Sequence, residues 1–371
     1  MLVFLLIRIR RRFKIKLTKK KPTQKDVATH AGVSQAAVSS VLHGQGTGIS
    51  AAAQARIRES ARALNYVPNR MAQALKNNRS MMIACIVPDI SNPFYPPMIR
   101  AVQKIVEPAR YDVMALSTDG TRAAELRMIE LCVDRRVAGI VGVFFQATIR
   151  DLVSAVEAEI PVIRYESAPK RGGHLPVDDY FVDNQTAASD IAAHLIALGH
   201  TNIVFLASPG GPERARIAGY SDALQACGLT PRIVSAEAYS IDGGATITQR
   251  LLNEGSRRPT AIMCADDLLA CGTIRACQAA GLSLPNDMSV TGFNNLSMTD
   301  VLNPSLTTVS LGQETFGQLA GERLLDRIRG KAEGPGSATA LPFSIIARTS
   351  TAPALHNDNE ALDADFTARN A

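Results

Sequence analysis

Two hydrophobic rhythms divide the chain. Across 21–66 apolar residues recur singly at helical spacing, among many alanines and few β-branched clusters. From Met81 onward the texture changes. Apolar runs at 82–88, 111–117, 139–145, 162–165, 202–207, 261–264 and 289–293 predict strands. Amphipathic stretches at 95–109, 122–134, 186–198, 217–227 and 267–280 predict helices between them. Strands that are continuously apolar and separated by helices predict parallel sheets covered on both faces. Seven such strands are too many for one small sheet, so two lobes are expected, with any ligand bound beyond the carboxyl ends of the strands. From Pro353 the chain turns polar and acidic, which predicts a loose tail.

The first region has its own local logic. Thr23 can cap a helix over 24–31, with Asp26 three residues later in a capping-box arrangement. Gly32 suits the turn that follows, and Ser34 can cap a second helix over 35–42. Val27, Ala28, Ala31, Val33, Val38 and Leu42 are spaced to close a small core. Ser50 can cap a third helix over 51–64, with Ala55, Ile57, Ala61 and Leu64 packing beneath. Two short helices joined by a glycine turn predict a helix-turn-helix, whose second helix enters the major groove of DNA.

Charge sharpens that picture. The 371 residues carry a net +6, but 1–80 hold sixteen Lys and Arg against two Asp and Glu. That leaves 24 basic and 32 acidic residues for 81–371. A basic head on an acidic body suggests that the head meets a polyanion, although a solvated charged arm produces the same count. Residues 1–20 place a short apolar run before a basic one. That is the reverse of a secretory signal, and the run is too short to span a bilayer. A disordered basic arm is expected there. The six cysteines form no C-x-x-C pair and sit mostly in apolar runs, which predicts reduced core thiols in a cytoplasmic protein. There is no G-x-S-x-G elbow, Walker A loop, H-E-x-x-H or G-x-G-x-x-G, and the six histidines have no metal spacing. No catalytic residue, metal or cofactor is expected, and no membrane segment.

Several motifs in sequence order then become specific. DVATHAGVSQAAVSSVLHG (26–44) and ALNYVPNRMAQALKNNRS (63–80) come first. DISNPFY (89–95), VDN (182–184), HLIALGHTNIVFL (194–206), RIAGY (216–220), ADDLLACG (265–272), VTGFNN (290–295) and NPSLTTV (303–309) follow. Over about 22–350 the chain resembles the LacI/GalR family of bacterial transcription regulators. The resemblance implies an all-α helix-turn-helix headpiece at 21–66, a hinge at 67–80, and an α/β core of two doubly wound lobes at 81–352, similar to type I periplasmic binding proteins. The lobes would divide as 81–181 with 313–341, and 182–312 with 342–352, followed by the tail 353–371.

The same resemblance implies residue roles. DNA contacts would come from Thr23, Gln24, Ser34, Gln35, Ala36, Ser39, Ser40 and His43. Gln35 can hydrogen-bond an adenine edge, whereas Ala36 offers only a methyl contact. Ser40 stands where the family often has a longer polar residue, which argues for fewer direct base contacts. In the hinge, Leu75 matches a leucine that wedges between base pairs in the minor groove, with Asn69, Arg70, Lys76 and Arg79 near phosphates. Effector contacts would come from Phe94, Tyr95, Glu166, Arg216, Asp266 and Asn294. Arginine suits a bidentate grip on vicinal oxygens or a carboxylate, while carboxylates and amides accept hydroxyl protons. Glu166 and Asn294 stand where the family commonly has Asp. The implied function is a DNA-binding regulator, repressing by family default, that meets a pseudo-palindromic operator as a homodimer on nucleoid DNA. Its control would come from a small-molecule effector, a sugar or sugar derivative. The alternative, a solute-binding protein of a transport system, shares the core fold but lacks a use for residues 22–80.

Overall fold

The structure, a computed structural model, describes residues 22–42, 48–67, 80–166, 173–207, 210–236, 239–254 and 258–355. The chain divides into two compact units, Met1–Asn77 and Asn78–Ala371. Elements are numbered here in chain order.

The first unit contains α1 (Gln24–Ala31), α2 (Gln35–Leu42) and α3 (Ala51–Ala63). Its helix ends are closed by bonds three residues apart. Thr23 donates its backbone N–H and hydroxyl to the Asp26 carboxylate at 2.7 and 2.8 Å, and the Asp26 N–H returns to Thr23 Oγ1 at 3.3 Å. This reciprocal pair satisfies orphan donors of the first turn. Gly32 follows α1 with φ 65°, a conformation glycine adopts without cost. Ser34 Oγ and Ser50 Oγ accept the N–H groups of Ala37 and Ala53 at the starts of α2 and α3. The core is Val27, Ala28, Ala31, Val38, Val41, Ile57 and Ala61. Two expectations change. Val41 is buried where Leu42 is only half-buried, and Ala55 is exposed. Ala55 precedes Ile57 by two residues, so it points to the far side of α3.

The second unit holds two six-stranded sheets. The first has the order β11-β5-β4-β3-β1-β2, all parallel. Its strands are β1 (Met82–Val87), β2 (Asp112–Ser117), β3 (Gly139–Gly142), β4 (Val162–Glu166), β5 (Val177–Phe181) and β11 (Ala338–Ala340). The second has the order β12-β10-β9-β8-β6-β7, with the last-added β12 antiparallel. Those strands are β6 (Ile203–Ala207), β7 (Arg232–Ser235), β8 (Ala261–Cys264), β9 (Ser289–Asn294), β10 (Thr307–Ser310) and β12 (Ser344–Ile346). The chain crosses between sheets three times, after β5, β10 and β11.

Alternation along β1 shows how the first sheet is buried on both faces. Ile83, Cys85 and Val87 join Met98 and Val102 of α4 (Tyr95–Val106) and Phe316 and Leu324 of α11 (Gln313–Ile328). Ala84 and Ile86 join Met128 and Cys132 of α5 (Arg122–Asp134) and Ala155 of α6 (Val153–Glu157). In the second sheet α7 (Asn184–Ala197) packs on α8 (Glu213–Ala226), and α9 (Ile241–Asn253) on α10 (Asp267–Ala279).

The returning helix α11 is tied to the first sheet by Asp178 of β5, which is fully buried. Its carboxylate accepts from Arg323 at 2.9 Å, Arg327 at 2.8 Å, and the Ser337 N–H and hydroxyl at 2.8 Å. Burial pushes this carboxyl up, but the two guanidiniums and Ser337 outweigh it and hold the group well below the usual carboxylate range.

The strand expected over 139–145 ends at Gly142. The N–H groups of Phe145, Gln146 and Ala147 turn instead onto the buried Glu125 carboxylate at 2.7, 3.0 and 2.5 Å. The core-thiol expectation holds for five cysteines, whereas Cys227, just past α8, is exposed.

Candidate functional site

All six residues nominated in the core line one cavity of about 590 Å³ in the second unit. They come from the carboxyl ends of both sheets and the helix starts beyond them. Phe94 and Tyr95 stand at the start of α4, where Asn92 Oδ1 accepts the Phe94 N–H at 3.0 Å. Their rings meet edge to face, with centroids 5.1 Å apart.

Arg216 lies in the first turns of α8, 3% exposed. Its Nε donates to Asn184 Oδ1 at 2.9 Å, and a terminal N–H donates to the Ala265 carbonyl. The guanidinium sits 4.2 Å above the Phe293 ring. Burial pulls its pKa down, against the upward pull of Tyr239 and Asp266. These contacts orient a cation at the cavity wall, where it can hold ligand oxygens.

Asp266 caps α10, accepting the Leu269 N–H on Oδ1 at 2.8 Å. Its other oxygen, Oδ2, is buried with no hydrogen-bond partner in the protein. Burial pushes this carboxyl up to about 6, restrained by the Leu269 N–H and Arg216. The next residue, Asp267, turns inward and ties strand β10 to the segment that follows β9. It accepts the Thr308 hydroxyl at 2.6 Å and the Leu296 N–H at 2.8 Å, and burial pushes it up to about 7.

Asn294 ends β9 with φ 110°, followed by Asn295 with φ 51°. Consecutive left-handed residues other than glycine are sparsely populated and need external support. Here Gln313 Nε2 donates to the Asn294 carbonyl, and Arg348 donates to Asn295 Oδ1 at 2.7 Å. The strained corner holds Asn294 at the cavity.

Glu166, at the end of β4, is not a solitary acceptor. Arg164 pairs with it at 2.8 Å and grips Asp179 through two bonds, at 2.7 and 2.9 Å. Arg164 and Asp179 are register partners on β4 and β5. Residue types nominated from sequence therefore omit Arg164, Tyr165, Asp179, Asn184, Phe145 and Tyr239, which also line the cavity. A charged residue inside the buried strand VIRYE was the available signal for Arg164. Asp179 lies on a strand that the apolar pattern does not predict.

In the first unit Thr23, Ser34, Gln35 and Ala36 are exposed, and Gln24, Ser39 and Ser40 are half-buried. Gln35 and Ala36 open α2 and stand in solvent, as base-reading side chains must. His43, Asn69, Arg70, Leu75, Lys76 and Arg79 lie outside the described residues. Among the described residues no cluster of His, Cys, Asp and Glu has a metal-holding arrangement, and no helix is long and apolar enough to cross a membrane.

Known proteins resolve what this pairing of units is. Residues 23–69 match the family model described as bacterial regulatory proteins, lacI family, and 192–351 match a periplasmic binding protein-like domain. The HTH-type transcriptional repressor CytR of Escherichia coli (strain K12) is 31% identical over 342 residues, which cover 89% of this chain and 96% of CytR. The chain belongs to the LacI family of bacterial regulatory proteins. This LacI-family regulator is also similar to DegA of Bacillus subtilis (strain 168), 29% identical over 340 residues covering 90% of this chain and 99% of DegA. Its fold matches the Lac repressor bound to ONPG in the repressed state with a TM-score of 0.78 at 26% identity, over 90% of this chain and 100% of that one. A LacI family transcriptional regulator from Enterococcus faecium with bound ribose matches with a TM-score of 0.65 at 26% identity, over 73% of this chain and 99% of its own.

Proposed function

We propose that this LacI-family regulator represses transcription by binding a pseudo-palindromic operator as a homodimer, under the control of a small-molecule effector held in the core cavity. The observation that carries the reading is one chain bearing both ends of such a device. One unit is a capped helix-turn-helix with Gln35 and Ala36 exposed on its second helix. The other has a cavity of about 590 Å³ lined by aromatic rings, Arg216, Asp266 and Asn294. In this reading the protein is a binding device rather than an enzyme, and it works in the cytoplasm on nucleoid DNA. The relatives include a repressor, CytR, and a Lac repressor dimer bound to operator, which supports both repression and pairing of chains.

A twofold dimer places equivalent heads roughly 10 base pairs apart, so the operator repeats with that half-site spacing. Gln35 contacts an adenine edge, and Ala36 contacts a thymine methyl. The hinge residue Leu75 wedges into the central step, with Asn69, Arg70 and Lys76 at the backbone. Phe94, Tyr95, Glu166, Arg216, Asp266 and Asn294 hold a sugar or sugar derivative. The effector changes DNA affinity by binding one relative orientation of the lobes more tightly than another.

The test is selection of bound sequences from random duplex DNA by the full-length protein, followed by titration of the winning duplex and a scrambled one. A pseudo-palindrome with tighter binding than the scramble supports the reading, and equal affinity for both at every salt concentration overturns it. Leu75→Ala is expected to lose at least about tenfold on the selected duplex while keeping salt-sensitive binding to the scramble. Equal loss on both duplexes removes the wedge.

A further inference from the structure

Strand β4 points alternate residues to opposite faces of its sheet. Arg164 and Glu166 form the ion cluster with Asp179, while Tyr165 between them turns into an aromatic group. Its ring packs 4.8 Å from Phe316 and 6.0 Å from Phe94. Packing therefore fixes the ring without help from the hydroxyl. Tyr165 lines the cavity, is 8% exposed, and its hydroxyl has no hydrogen-bond partner in the protein. A buried unpaired hydroxyl is costly and is kept where something other than the fold uses it. Burial pushes the phenol up, so it keeps its proton and is a donor at neutral pH. On the second lobe, Asp266 Oδ2 is an unpaired buried acceptor lining the same cavity.

The charges at the wall narrow the ligand class. Among the described residues, the charged side chains lining the cavity are Arg164, Glu166, Asp179, Arg216 and Asp266, two cations against three carboxylates. Arg164 is held between two of those carboxylates. Arg216 donates to Asn184 and to the Ala265 carbonyl and faces Asp266. An incoming phosphate or carboxylate would add like charge to described side chains that are already net negative, whereas hydroxyl groups can donate to the carboxylates and accept from Arg216 and Tyr165.

We propose that Tyr165 is a specificity-determining contact that donates its O–H to an uncharged, hydroxyl-bearing effector, whose opposite end donates to Asp266 Oδ2, so that one ligand ties the two lobes together. This rests on the effector-cleft reading above.

The experiment uses the full-length protein and six probes in thermal-shift assays: D-ribose, D-glucose and adenosine, with D-ribose 5-phosphate, D-glucuronate and adenosine monophosphate as anionic counterparts. A probe that binds the folded state raises Tm by mass action. The best probe is then titrated by calorimetry against wild type and Tyr165→Phe. Expected are a Tm rise with an uncharged probe, at least about tenfold weaker binding of its anionic counterpart, and about tenfold weaker binding of the uncharged probe by Tyr165→Phe. The ligand-free Tm of Tyr165→Phe is expected to stay level or rise, since the change deletes an unpaired buried hydroxyl. Preference for an anionic probe overturns the proposal, as does a Tyr165→Phe affinity within about twofold of wild type, or a ligand-free Tm lowered by more than about 2 °C. If wild type responds and Tyr165→Phe responds equally, the effector reading stands and the proposal falls. If no probe moves wild type, both fall.

Discussion

Removing the Arg216 side chain tests the reading of the cavity wall most directly. Arg216→Ala deletes a charged hydrogen bond to Asn184 Oδ1, another to the Ala265 carbonyl, and a cation–π contact with Phe293 at 4.2 Å. Hydrogen bonds from charged donors contribute about 1.5–3 kcal/mol each, and a desolvated cation–π contact about 2 kcal/mol. Against this, the variant no longer buries a guanidinium, and the cavity lets water reach the groups left behind. Breaking one member of a buried charged network costs about 3–5 kcal/mol in a closed core. With that relief the loss here is about 2–3 kcal/mol, a Tm drop of roughly 4–6 °C at roughly 2 °C per kcal/mol for a unit of this size.

The pH dependence adds a sign. Asp266 is pushed up to about 6 with Arg216 restraining it, so the variant raises it further. A carboxyl whose folded pKa lies above its unfolded value gives stability that is present at low pH and lost as pH rises through the folded pKa. The Tm gap between wild type and Arg216→Ala therefore widens from pH 5.5 to pH 8. Calorimetric melts of the ligand-free proteins at the two pH values measure it. A gap under about 1 °C at pH 8, or an equal gap at both values, refutes the account of Arg216 as the cation that stabilises Asp266.

Gly219, one turn beyond Arg216, lies where α8 crosses α7, and a Cβ there would overlap the Gln185 carbonyl oxygen and fall 2.9 Å from Ser189 N. Since backbone cannot rotate away, Gly219→Ala is expected to destabilise by about 3 kcal/mol or more in denaturant melts; a loss below about 0.5 kcal/mol would mean that the helices separate freely. For the thiols, Cys227 is exposed while the other five are buried, with Cys85, Cys132, Cys271 and Cys277 each pushed up to about 12. A disulfide reagent is expected to label one thiol rapidly in the native protein and six after denaturation. Two or more fast thiols would show that the core opens on the labelling timescale.

The headpiece was legible because its information is local. Thr23 with Asp26, Gly32, and Ser34 with Ala37 act over three residues or at one residue, and a reader of the chain sees the same spacing that the helix uses. Most of the buried interior strands were legible for a related reason, since burial on both faces favours unbroken apolar runs such as IVFLA in β6, whereas interior β5 (VDDYF) and β10 (TTVS) are buried without one and were not expected. Edge strands escape that demand. β7, β11 and β12 are short and partly exposed, and their pairing comes from the sheet that they join. Helix α9 was hidden by the glycines that let it pack against α10, where a Cβ on Gly244 would overlap the backbone of Leu269.

The sequence by itself thus determined the alternation of strands and helices along most of the core, the helix-turn-helix, the family, and six residues that share one cavity. Tertiary structure decided what those residues are bonded to. Arg164 meets Asp179 only because β4 and β5 lie side by side in register, which makes Glu166 part of an ion cluster rather than a lone acceptor. Asp178, one residue away, turns to the opposite face and secures a helix some 145 residues later in the chain. Tyr165 and Asp266 each bring an unpaired buried polar atom to the wall of one cavity, a coincidence that no local spacing indicates. Partners close in sequence are set by helix and turn geometry, whereas partners across a sheet or a cavity depend on contacts that no local spacing encodes.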